Sequence, residues 1–156
     1  MSVESYNLPE MKDETIERPL KGRGVGVIFH IAETDQFMFF LRDDKDSIPF
    51  PNMIDIIGGH MDPGETPEQT ARRELGEELE ERASGDAFQP DGIVPFSTYV
   101  DVRDVEQNIF GCELQKVPDL ILKEGQRLVF LDRAELAASE FAFDFGDIVR
   151  AYAQTV

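Results

Sequence analysis

The stretch from Gly58 to Glu78 constrains this chain more than any other. Pro63-Gly64 excludes regular structure between Met61 and Glu65. Thr66-Pro67-Glu68-Gln69 then reads as a helix start: Thr66 suits the N-cap, Pro67 the first helical position, and Gln69 completes a capping box. At about 100° per residue, with Glu74 as the zero of angle, Glu77 falls at about −60° and Glu78 at about +40°. Three carboxylates therefore share one helix face. Ala71, Leu75 and Leu79 occupy a separate sector between about 60° and about 140°, which must face the core. The helix is expected to run to Ala83 and to stop at Gly85.

Gathering like charges in this way is unfavourable, by roughly 0.2–0.5 kcal/mol for each i,i+4 neighbour and more where the groups are partly buried. Two readings follow. Charge runs are usually solvated faces, and this chain is very acidic: Lys plus Arg come to 15, Asp plus Glu to 32, and the net charge is −17. Alternatively, a cation compensates the face, and hard divalent cations take oxygen ligands. The neighbouring residues favour the second reading. A glycine-rich loop precedes the helix, so backbone groups can approach a ligand closely there. Arg73 lies beside the acidic face, and Glu65 sits at the loop–helix junction. The same net charge argues against direct nucleic-acid binding and against docking on anionic membranes. A phosphorylated substrate remains compatible if metal ions reverse the local charge.

Along the chain, residues 1–20 read as an acidic arm and 21–156 as a single domain. Gly24 to Ile31 reads as a buried strand and Gln36 to Arg42 as a second, with Glu33-Thr34-Asp35 as the turn. Ile54 to Ile57 is a short apolar run. Ile93 to Val102, Asn108 to Leu114 and Arg127 to Leu131 are further expected strands, Lys116 to Gln126 a loop with an apolar middle, and Gly146 to Ala153 a last helix. The order implies a mixed α/β layered domain. Cys112 is the single cysteine, so no internal disulfide and no cysteine-rich zinc site are expected. No apolar run approaches the ~20 residues that span a bilayer, and the N-terminus lacks the marks of a signal peptide. A soluble cytoplasmic protein is the expectation.

Gly59, Glu65, Arg73-Glu74-Leu75 and Glu77-Glu78 fall without a gap on the pattern G, five residues, E, seven residues, R-E-U-x-E-E-x-G-U, where U is a bulky aliphatic residue. In this the segment resembles the Nudix box, the signature of the Nudix (MutT-like) hydrolases. Two positions depart: Glu80 stands where the family has its last glycine, and Glu81 where it has an aliphatic residue. On a continuing helix Glu81 would fall at about −20°, on the same face as the other carboxylates. Ile57 also replaces a frequent proline. The order of elements outside the box is similar to the family's α/β/α sandwich with a mixed sheet.

The resemblance implies hydrolysis of a nucleoside diphosphate linked to another group, with Mg²⁺ or Mn²⁺ on the diphosphate. It implies Glu74, Glu77 and Glu78 as metal ligands, joined by the Gly58 carbonyl. Gly59 and Glu65 would be structural, with Glu65 and Arg73 orienting loop and helix. Arg73 also counts as a substrate-binding candidate, as does Arg42, whose other reading is a plain strand-end arginine. Many relatives carry a glutamate before a late strand that binds metal or serves as general base. Glu124 is the candidate here, with Glu113 and Glu106 in reserve, and Glu77 and Glu78 are the other catalytic candidates. Pro95 and Tyr99 lie near positions that mark ADP-ribose and dinucleoside-polyphosphate hydrolases respectively, so the substrate stays open between them. A nucleotide sugar or similar conjugate is the first expectation. A nucleoside triphosphate, or a binding module without turnover, is the alternative, and a homodimer is in keeping with the family. His30, His60 and Cys112 read as packing or solvent-contact residues, and Phe141, Phe143 and Phe145 as core, with stacking on a base as their other reading.

Overall fold

The computed structural model describes residues 18–156. The arm expected over residues 1–20 falls, except for its last three residues, outside that range. A long strand, β1 (Gly22–Ile31), runs through the centre of the main sheet. β2 (Gln36–Leu41) returns antiparallel beside its C-terminal half, and β4 (Ile57–His60) beside its N-terminal half. β3 (Ile54–Asp55) pairs with the end of β2. On the other edge of β1 lies β7 (Val105–Leu114), parallel to it over ten register pairs from Gly22↔Val105 to Ile31↔Leu114. β6 (Ile93–Val100) closes that side and β9 (Arg127–Leu131) covers the outer edge of β2. The parallel β1–β7 pair makes the sheet mixed.

β1 shows why both faces must be covered. Val25, Val27, Phe29 and Ile31 point to one side and Ile28 to the other, and all are buried. The first side packs on α1 (Pro67–Glu78) through Ala71 and Leu75, with Leu79 just beyond its end. The second packs on α2 (Arg133–Ala138) and α3 (Gly146–Ala153) through Leu136, Ile148, Val149 and Tyr152. The result is the expected α/β/α sandwich. The capping box forms as the sequence implied: Thr66 Oγ1 accepts from the Gln69 amide at 3.2 Å, and Gln69 Oε1 accepts from the Thr66 amide at 3.0 Å.

Three expectations need correction. The first helix does not continue to Ala83. It ends at Glu78, and the chain turns directly into β5 (Leu79–Glu81), which pairs antiparallel with β8 (Leu120–Leu122). Backbone pairing and the complete burial of Leu79 outweigh the helical preference of a glutamate-rich run. The loop expected over Lys116 to Gln126 accordingly contains a strand, β8, built from its apolar middle. Finally, Glu81 does not extend the acidic helix face: it is exposed on β5, while Glu80 forms an ion pair with Lys123 at 3.2 Å.

No helix among the described residues is long and apolar enough to cross a membrane.

Candidate active site

Two adjoining cavities open where β1, β2, β4 and the C-terminal end of α1 meet. The smaller, of about 210 Å³, is bounded by Arg42, Asp55, Gly58, Glu78 and Glu124. The larger, of about 440 Å³, shares Arg42, Asp55 and Gly58 and extends past Gly59 and His60 to Arg103, Gln107 and Phe143.

The carboxylate wall is built around one arginine. Arg73 donates from Nε to Glu65 Oε2 at 2.7 Å and from Nη2 to Glu65 Oε1 at 3.0 Å. Its Nη1 reaches Glu74 at 2.9 Å and Glu77 at 3.3 Å, and its Nη2 also reaches the His60 carbonyl at 3.0 Å. Glu65 further accepts from the Asp62 amide at 2.9 Å and the Thr70 hydroxyl at 2.7 Å. Donors on every side, the Arg73 guanidinium first among them, hold the Glu65 carboxyl down at about 2. The irregular loop Met61–Glu65 is thereby tied to the helix face. Arg73 lines neither cavity; its donors are taken up by the protein itself.

Gly58 and Gly59 let this wall stand close to the sheet. A Cβ on Gly58 would overlap the Val25 carbonyl, and one on Gly59 would overlap the Glu74 carboxyl group. Glu74 is consequently half-buried, and burial raises its pKa.

Glu124 reaches the wall from a distant segment. The β5–β8 pairing, extended by the bond from the Lys123 amide to the Glu78 carbonyl at 2.9 Å, brings the 123–126 loop to the end of α1. On its other side the Gln126 amide donates to the Leu41 carbonyl at 2.8 Å, and Gln126 Nε2 to the Arg42 carbonyl at 2.8 Å. The loop thus spans from α1 to the end of β2, and Glu124 is placed against Glu78. Burial, and next the charge and hydrogen bonding of Glu124, push Glu78 up to about 7. A half-buried carboxylate with a second one against it is kept charged most readily by a cation. Among the described residues no group of three acidic, histidine or cysteine side chains forms a ready cation cage. A pair suits Mg²⁺ better than a cage does, because that ion keeps waters and substrate phosphates among its ligands and takes only one or two carboxylates. The donor set, all hard oxygen, fits a divalent cation.

Arg42 stands opposite. Its Nη1 lies 2.8 Å from Asp55 Oδ2, its Nε donates to the Pro49 carbonyl at 3.0 Å, and its guanidinium stacks 5.1 Å from the centre of the Phe143 ring. Asp55 is pushed up to about 6, because burial outweighs the neighbouring guanidinium. Sequence reading passed over Asp55; a lone acid inside the apolar run Ile54 to Ile57 was its available signal.

The reserve glutamates lie elsewhere: Glu113 faces His30 at 3.6 Å, Glu106 pairs with Arg23 at 3.3 Å, and neither lines either of these two cavities. His30 is buried and shares a hydrogen bond with Asp35 at 2.8 Å. Cys112 is buried and its thiol pushed up to about 11 by that burial, which makes it a poor nucleophile. Pro95 is exposed at a bulge of β6, and Tyr99 is half-buried beside Phe143. Phe141 and Phe145 are core as expected. Phe143 is not: it is half-buried, packs at the edge of that core and lines the larger cavity.

Comparison with known proteins agrees with this fold. A family profile described as the NUDIX domain matches residues 20–138. The chain belongs to the Nudix family, and it is a hydrolase of phosphorus anhydrides. The family acts generally on nucleoside diphosphate derivatives and uses divalent metal ions. Among solved structures, the NUDIX domain of Shewanella oneidensis NrtR, in a cocrystal with ADP ribose, superposes with a TM-score of 0.68 at 17% identity, covering 93% of each chain. A MutT protein from Methanosarcina mazei gives 0.64 at 20% identity, over 90% of this chain and 97% of that one. A C. elegans Ap4A hydrolase gives 0.63 at 16% identity, over 86% and 96%. These identities speak for the fold. No curated protein sequence matches the chain.

Proposed function

We propose that the chain hydrolyses the diphosphate bond of a nucleoside diphosphate linked to another group, with Mg²⁺ or Mn²⁺ held at the carboxylate wall. The observation that carries this reading is the opposition of Glu78 and Glu124 to Arg42 across the smaller cavity. Glu78 and Glu124 are the pair that would hold the cation, with Glu74, Glu77 and the Gly58 carbonyl as the further oxygen donors of the same wall. Bound there, it would neutralise the diphosphate and lower the pKa of the attacking water. Arg73 keeps the carboxylates in place and balances part of their charge. Arg42 reaches a phosphate oxygen from the opposite side, with Asp55 holding its guanidinium in position. Glu124, exposed on a loop fixed at both ends, takes the proton of the attacking water, directly or through one further hydrogen bond. Water oxygen bonds to one phosphorus, the bridging P–O bond breaks, and the second phosphate leaves with the electron pair.

The likeness to a domain cocrystallised with ADP ribose and to an Ap4A hydrolase supports a nucleotide conjugate as substrate. Incubation with a panel of ADP-ribose, nucleotide sugars, dinucleoside polyphosphates and nucleoside triphosphates, with Mg²⁺ or Mn²⁺ and with chelator, tests the proposal. Selective cleavage that chelator abolishes is the expected result. Cleavage of triphosphates alone would move the assignment to a nucleoside triphosphate pyrophosphohydrolase. Absence of cleavage across the panel would contradict turnover.

A further inference from the structure

The larger cavity carries information that the phosphate-facing one does not. Gln107, on β7, is 8% exposed and lines it. Its Nε2 donates to Asp101 Oδ2 at 3.1 Å. Asp101 cannot turn away, because its other oxygen accepts from the Arg103 amide at 2.8 Å and the Val105 amide at 3.1 Å. An ionised carboxylate only accepts, so Asp101 fixes which way the amide of Gln107 points. Gln107 Oε1 is directed away from it, over Gly24, where it would stand 3.1 Å from an added Cβ. That oxygen accepts no hydrogen bond from the described residues. It is a pre-oriented acceptor, open to the cavity.

Phe143 supplies a second, independent feature. The guanidinium groups of Arg42 and Arg103 lie 5.1 and 5.5 Å from its ring centre, and Arg103 Nη2 donates to its carbonyl at 3.0 Å. Phe143 and Asp144 both have positive φ, 56° and 59°. A phenylalanine seldom adopts that conformation; here the ring borders the cavity while it packs on Phe50, at 4.6 Å between ring centres, and on Phe145, at 6.0 Å. Arg42 and Gly58 border both cavities, so a ligand whose phosphates lie at Glu78 and Arg42 extends naturally into this space.

We infer that the larger cavity is a nucleobase subsite that selects a base with an exocyclic amino group, the amino group donating to Gln107 Oε1 and the base bordered by Phe143 and the Arg103 guanidinium. The inference rests on the proposed hydrolase reading only for the direction in which the phosphates lie. A base with a carbonyl in the amino position sets two acceptors face to face and leaves both unpaired. Contact with Phe143 and with the Arg103 guanidinium holds any base and does not discriminate.

Titration calorimetry of the full chain with AMP, GMP, IMP, CMP and UMP tests this without any turnover, since monophosphates have no anhydride bond. At least one amino-bearing nucleotide is expected to bind about tenfold or more tightly than its oxo counterpart, the size of one net hydrogen bond. Gln107→Met keeps the volume and should bring that ratio to about one. Asp101→Asn frees the amide to flip and should shrink the ratio, while Phe143→Leu should weaken all five nucleotides together without changing their order. Equal binding of all five, no binding at all, or a ratio that survives Gln107→Met would overturn the inference. The two readings fail separately. Diphosphate cleavage without base preference leaves the hydrolase standing and removes the subsite, whereas base preference without cleavage does the reverse.

Discussion

The two walls of the cleft are made in different ways. The carboxylate wall is mostly local: Gly58, Gly59, Glu65, Arg73, Glu74, Glu77 and Glu78 come from one loop and one helix, and only Glu124 arrives from afar. Its members are tied to each other through Arg73. The facing wall is assembled from separate segments. Arg42 follows β2, Asp55 ends β3, Arg103 and Gln107 border or belong to β7, and Phe143 sits in the turn before α3. Arg42 is held by Asp55 and Arg103 by the Phe143 carbonyl, partners that lie in other segments. One wall is strongly negative and the other carries two guanidinium groups. A diphosphate with a cation fits between them: the cation answers the first wall and the phosphate oxygens answer the second. Chemistry that needs fixed spacing is concentrated on one helix, and recognition is spread over the segments that surround it.

The largest effect expected from breaking this arrangement is on turnover. Glu78→Gln removes a cation-holding carboxylate and should lower the cleavage rate by about 100-fold or more. It also relieves the repulsion with Glu124, so the melting temperature should stay the same or rise. Rate assays and thermal melts on the same preparation check both halves.

Next in size is the support of each wall. Leu75 is fully buried beneath the carboxylates, and Leu75→Ala should cost about 2–5 kcal/mol in urea unfolding. Phe143→Asn loses ring packing but relieves a strained backbone, so stability should stay within about 1 kcal/mol of the parent while nucleotide binding weakens.

The walls should also answer acid with opposite sign. Glu65 titrates at about 2 in the folded chain against an ordinary 4.5, so its stabilising contribution is complete above about 4.5 and is lost as pH falls towards 2. Asp55 titrates at about 6 against an ordinary 3.8. Between those values the folded chain holds the extra proton, so acidification through that window favours the folded state. Urea midpoints measured from pH 7 to pH 3 should show Glu65→Gln flattening the acid limb and Asp55→Asn flattening the limb between about 6 and 4.

The smallest effects belong to the box departures. Glu81 is exposed on β5, and Glu81→Gln should leave turnover within about twofold. Glu80→Gln removes a partly exposed ion pair with Lys123 and should change stability by no more than about 1 kcal/mol. A large loss of turnover in either variant would mean that the end of the box takes part in the chemistry.

What was legible in the sequence follows the same division. Thr66 and Gln69 announced the start of α1 because a capping box is a contact three residues long, and β1 announced itself through a run of buried β-branched and aromatic residues. The three helix carboxylates share a face because helix geometry leaves no choice. The end of α1 was misread because it is decided by β8, some forty residues further on, through backbone pairs that no local pattern reveals. The short α2, from Arg133 to Ala138, went unnoticed since its capping residues, Asp132 and Glu135, precede so brief an apolar face. Phe143 reads as core from its alternation with Phe141 and Phe145, and only the positive φ at 143 and 144 takes it out of that pattern. Asp55 and Gln107 gain their meaning from Arg42 and Asp101, partners that the fold supplies.

Binding of Mn²⁺ followed by electron paramagnetic resonance in the parent chain, Glu78→Gln and Glu124→Gln tests the central claim most directly. If Glu78 and Glu124 form one cation-holding pair, the parent binds the ion and each single variant weakens that binding by a similar factor of about ten or more. Parent-like Mn²⁺ affinity in Glu124→Gln would contradict the account, because the loop that β5 and β8 bring to the end of α1 would then have no part in holding the cation.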